Sequence, residues 1–154
     1  MGSSYMAYRE HGFWARDVRA EVWLYLLSEE AVASVTERPA WLDAAQEDWR
    51  VQATTGFMGC VSSCLDQHLG VAPDRVAAVL ALSERVRERL LRWAPAIPKD
   101  VVNGFGTGGE SESFDRDLET GLLLTFADTF IALLRGEITG APGTVTAYRP
   151  RPPT

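Results

Sequence analysis

Lysine is almost missing from this chain. Lys99 is the single lysine among 15 basic residues, and histidine occurs only as His11 and His68. Against 21 acidic residues the formal charge is -6, which argues against a nucleic-acid backbone or an anionic membrane as the main partner. Arginine in place of lysine, with abundant Ala, Val and Leu, points to a GC-rich bacterial genome.

Cysteine is scarce as well, with Cys60 and Cys64 four residues apart. A bridge between them closes a tiny loop and distorts a helix, so they read as reduced thiols of a cytoplasmic protein. Long apolar runs are absent. The longest, residues 121–134, is interrupted by Asp128 and cannot span about 30 Å of hydrocarbon. The N-terminal residues lack a basic stretch followed by an apolar one, so no secretory signal is expected.

What the chain does contain is a core. Of 154 residues, 46% are hydrophobic and 23% charged, which suits one globular domain rather than disorder. Four segments carry a helical period. Residues 16–35 include six consecutive apolar positions from Val22 to Leu27, so this helix is expected to be buried on most sides. The second starts at Pro39, with Trp41, Ala45, Trp49 and Ala53 on one stripe. Thr54, Thr55 and Gly56 then kink it, or stop it before a restart that ends at Gly70. The third opens on Pro73 and Asp74 and ends at Pro95; the fourth covers residues 115–135 and closes at Gly136. The expected fold is therefore all-α, four principal helices in a mostly antiparallel bundle, forming one domain over residues 1–136. An aromatic N-terminal arm (Tyr5, Tyr8, Phe13, Trp14) is expected to pack across the bundle. Residues 95–114 read as a long Pro/Gly connection, and 137–154 as an irregular C-terminal extension with a weak strand at 144–148.

Several patterns bear on chemistry. Residues 104–109, Gly-Phe-Gly-Thr-Gly-Gly, match G-x-G-x-x-G. A dinucleotide loop needs a strand before it and a helix after it, whereas here Val101 and Val102 precede and Glu110 and Glu112 follow, repelling phosphate. The match reads as a flexible glycine loop. Cys60, Cys64 and His68 fall at i, i+4 and i+8, one stripe if they share a helix, and form the alternative site, for zinc or thiol-dependent catalysis. A fourth ligand is missing, and a small-residue stripe with Gly56, Gly59 and Ser63 explains the same residues as helix packing. No nucleophile elbow, catalytic triad or Glu-x-x-His pair is present. The arginines at 85, 87, 89 and 92 alternate with Glu84 and Glu88 as a self-supporting solvated helix face. Trp14, Trp23, Trp41 and Trp49 could line a small-molecule pocket, although tryptophans at helical spacing more commonly build a core.

The most informative stretch is acidic. Residues 110–119 hold Glu110, Glu112, Asp115, Asp117 and Glu119 against Arg116, four of the six net negative charges. With Phe105 and Phe114 beside them, these carboxylates suggest a surface for a basic protein partner, where charge steers and aromatics hold. The resulting expectation is a non-enzymatic interaction protein of immunity or antitoxin type, without a cofactor. Nothing in the sequence excludes self-association.

Overall fold

The computed structural model describes residues 2–109 and 113–139. Its first element overturns the all-α expectation. The aromatic arm is an antiparallel hairpin, β1 (Ser3–Tyr8) and β2 (His11–Arg16), in register from Ser3↔Arg16 to Tyr8↔His11. Alternation explains it: Ser4, Met6 and Tyr8 are buried while Ser3, Tyr5 and Ala7 are more exposed. The two-residue turn is cryptic because Arg9 and Glu10 stand where Asn-Gly is usual, with φ of 50° and 68°. Outside contacts hold this turn. The Arg9 N–H donates to Asp66 (2.9 Å), and the Tyr8 hydroxyl donates to the Gly70 carbonyl (2.8 Å).

Six helices follow among the described residues, rather than four. They are α1 (Asp17–Ser34), α2 (Ala40–Thr54), α3 (Leu65–Leu69), α4 (Pro73–Trp93), α5 (Lys99–Asn103) and α6 (Thr120–Leu134). Between them lies a second small sheet, β3 (Ala96–Ile97) antiparallel to β4 (Leu118–Glu119). The architecture is thus helix-rich with two short antiparallel ribbons, not a regular four-helix bundle. The weak strand expected at 144–148 lies outside the described residues.

Helix α1 is the hub. It packs on α2, α4 and α6, and Val22, Trp23, Leu24, Leu26 and Leu27 are all inaccessible to solvent. Trp23 meets Phe126 and Phe130 of α6 at ring distances of 5.7 and 5.2 Å. Phe13 of the hairpin reaches the same Phe126 (5.3 Å, edge to face), which ties the N-terminal ribbon to α6. On α6, Leu123, Phe126, Ala127, Phe130, Ile131 and Leu134 are buried, as the helical period predicts.

Helix α2 stops at Thr54, and residues 55–64 are irregular before the single turn of α3. Three contacts explain why this segment leaves the helix. Asp17, buried at the start of α1, accepts the Gly59 N–H (2.8 Å) and the Ser4 hydroxyl (2.6 Å). Ser4 Oγ in turn accepts the Val61 N–H (2.9 Å). The fully buried Trp49 donates its indole N–H to the Ser63 carbonyl (2.8 Å). Backbone groups that a helix would satisfy internally are taken over by partners from β1, α1 and α2.

Candidate functional site

The connection between α4 and α6 positions the acidic segment. It is not structureless. Ala96↔Glu119 and Ile97↔Leu118 pair its two ends, and α5 fills part of the span. Asn103, at the end of α5, then clasps Phe114 from both sides: Nδ2 donates to the Phe114 carbonyl (2.9 Å), and Oδ1 accepts its N–H (2.6 Å). A side-chain amide imitates one rung of a β-ladder and closes the loop without a strand.

The glycine stretch before it is anchored to a different helix. The Gly108 N–H donates to the Ala53 carbonyl at the end of α2 (2.9 Å). Gly56 sits against this contact with φ +81°, and a Cβ there would stand 2.7 Å from the Gly108 oxygen. Phe105 lies stacked on Tyr25 (4.6 Å, 18° between planes), with Trp93 6.4 Å away. Its half-buried ring therefore fastens the loop to α1 and α4, whereas the sequence reading placed it in the partner surface. The G-x-G-x-x-G match has no strand–loop–helix setting: α5 leads into it.

The carboxylates divide into two kinds. Asp117 Oδ1 accepts the Lys99 N–H (2.9 Å), which serves the first turn of α5. Asp115 is almost fully exposed and lies 3.9 Å from Arg116, itself equally exposed. Glu119 is exposed on β4. Glu110 and Glu112 lie outside the described residues. Asp115, Asp117 and Glu119, outnumbering Arg19 and Arg116, rim a depression of about 360 Å³ whose apolar wall includes Val18, Phe114, Leu118, Leu122 and Leu123. Negative charge over an apolar floor can attract and seat a cationic side chain with its aliphatic stem.

The alternative site is taken apart by the end of α2. Cys60 and Cys64 do not share a helix with His68: Cys60 is exposed in the irregular segment, and Cys64 stands before α3 with φ 52°. Among the described residues, no group of three His, Cys, Asp or Glu side chains is placed to hold one metal ion. His68 is buried and engages Asp48 of α2 through Nε2 (2.6 Å), a partner the spacing could not show. The buried Ser63 hydroxyl has no hydrogen-bond partner among the described residues, so it is not joined to this pair.

The remaining sequence features find structural partners. Arg87 pairs with Asp128 (2.7 Å), joining α4 to α6; Arg89 pairs with Glu29 (2.7 Å) and stacks over Trp93 (5.2 Å). Trp23 and Trp49 are core, Trp41 lies under Arg75 (5.3 Å), and Trp14 faces outward on β2, so the four tryptophans line no common pocket. No helix among the described residues is long and apolar enough to cross a membrane. Comparison with protein-family models, with curated proteins and with solved structures found no match.

Proposed function

We propose that this protein is a non-enzymatic interaction module that binds a basic protein partner through the acidic segment between α5 and α6, in the manner of an immunity or antitoxin-type inhibitor. The observation that carries this reading is the Asn103–Phe114 clasp. It fixes the backbone next to Asp115, as the β3–β4 pairing fixes that of Glu119, so the loop that presents these carboxylates above an apolar depression need not be ordered on binding. The negative net charge favours fast encounter with a cationic surface. A cytoplasmic location is part of this proposal; two cysteines four residues apart, poorly spaced for a bridge, support it.

The test starts from a complex isolated from the host and a partner identified by mass. Asp115→Lys with Glu119→Lys spares the Asp117 bond to α5 and should weaken that complex by about tenfold or more, while flattening its salt dependence. Unchanged affinity and salt slope would overturn the proposal.

A further inference from the structure

The acidic depression does not stand alone. A second hollow of about 140 Å³ adjoins it, lined by Phe13, Trp14, Leu122 and Phe126 among others. Both hollows share Arg19 and Leu122 as walls, so they are two halves of one groove over the start of α1 and the first turns of α6. The halves differ in chemistry. One carries three carboxylates and Arg116 on its rim; the other is mainly aromatic and aliphatic, with Thr125 and Thr129 at its edge and with Trp14 41% and Leu122 51% exposed.

We infer that this groove takes an extended basic segment of a partner protein, with an apolar side chain seated against Trp14 and Leu122 and a lysine or arginine reaching Asp117 and Glu119. The inference rests on the proposed function and adds to it the apolar half of the site and the order of residues it selects.

Charge decides the occupant. Neither Asp117 nor Glu119 has a cationic partner among the described residues, so an incoming cation displaces no existing ion pair there. Arg19 stands on the divide and likewise has no ion-pair or hydrogen-bond partner among the described residues. A bound acidic segment would pair with Arg19 and Arg116 but meet three carboxylates, so the groove keeps an excess of negative charge. A basic extended segment satisfies both, because Arg19 can donate to the peptide carbonyls that lie between its apolar and cationic residues. The platform is rigid where it matters: Trp14 is paired with Tyr5 across the hairpin (ring distance 5.4 Å), and tryptophan, tyrosine and arginine are the residues that concentrate binding energy.

The probe is a set of end-blocked peptides in which a leucine and an arginine are separated by one to four glycines. Parallel sets carry glutamate for the arginine, or serine for the leucine. Binding is read from the NMR shifts of the Trp14 indole N–H and the Leu122 methyls. At least one arginine peptide should bind about fivefold or more tighter than both of its counterparts, with Arg19→Ala, Leu122→Asp and Glu119→Lys each weakening it. Leu122 and Glu119 are exposed, and an unchanged near-ultraviolet dichroism spectrum shows that each variant keeps its fold. If Glu119→Lys abolishes binding while Leu122→Asp and the serine peptides have no effect, the two-part groove is wrong and the acidic-segment reading survives. If the Trp14 and Leu122 signals stay still with every peptide, the groove is wrong outright. If peptides do bind but Glu119→Lys leaves every affinity unchanged, the acidic-segment reading falls.

Discussion

Ser4 and Asp17 meet hydroxyl to carboxylate at 2.6 Å, both buried, at the junction of hairpin and first helix. Through the Gly59 and Val61 amides, this one contact orders a segment more than forty residues away. Ser4→Ala strands the Val61 N–H and removes one bond from the carboxylate, so it should cost about 1–3 kcal/mol in urea unfolding. Amide exchange at Gly59 and Val61 should accelerate together. Ser4→Ala combined with Asp17→Asn should cost less than the sum of the two, because they share one network.

Asn103 offers a second test, because its two bonds to Phe114 have opposite directions. Asn103→Asp keeps the acceptor and loses the donor, setting a charge against the Phe114 carbonyl. Unfolding free energy should drop by about 0.5–1.5 kcal/mol, and the Phe114 amide should exchange faster in Asn103→Ala than in Asn103→Asp. Equal exchange rates in both variants would show that the clasp does not hold the loop.

Two glycines with positive φ separate backbone strain from crowding. Gly70 (φ +53°) has open space where a Cβ would stand, whereas Gly56 (φ +81°) has the Gly108 carbonyl there at 2.7 Å. Gly70→Ala should cost about 1–3 kcal/mol from backbone strain alone, because φ +53° with ψ -126° lies outside the left-handed helical well. Gly56→Ala should cost clearly more, since its neighbour is backbone, and it should broaden the NMR signals of residues 106–109. Thermal unfolding of the two variants side by side decides this.

Tyr25 gives the pH dependence. Burial raises its pKa above the ordinary value near 10, and the Glu29 carboxylate adds to the rise, with Arg50 and Arg89 pulling the other way. The folded state therefore holds this proton more tightly than the unfolded chain. Its contribution to stability is complete below about pH 10 and is lost as pH climbs through the raised folded value. Urea midpoints should fall across that window, and Tyr25→Phe should make the fall shallower. The difference between tyrosinate absorbance titrations of the native protein and of Tyr25→Phe isolates the folded value of Tyr25 from those of the other three tyrosines.

The long helices were legible because their burial follows one period over many turns, as from Leu123 to Leu134. The hairpin was not, although Ser4, Met6 and Tyr8 alternate correctly with Tyr5 and Ala7. Arg9 and Glu10 hide its turn, and the bond that holds Arg9 comes from Asp66, far along the chain. The same kind of long-range capture ended α2 early: Gly56 weakened the helix, but the Asp17, Ser4 and Trp49 bonds decided where residues 59–63 went. In the candidate site, the carboxylates could be read from sequence and their support could not. Nothing in the sequence marked Asn103 as the partner of Phe114, and Phe105 gave no sign that Tyr25 would stack on it. The apolar half of the groove had no sequence signature, because Trp14 and Leu122 come from elements more than a hundred residues apart.

That separation matters during synthesis. The inner face of the hairpin closes on Phe126 through Phe13, yet the ribosome makes the hairpin first and α6 last among these elements. At about 5–20 residues per second, Met6 and Phe13 wait several seconds or more for the helix that covers them. A two-stranded ribbon is at best marginally stable alone, so the nascent segment is a ready client for chaperones that hold extended apolar chain. Stalling translation just before residue 120 should leave every other helix made and the N-terminal ribbon still open to protease.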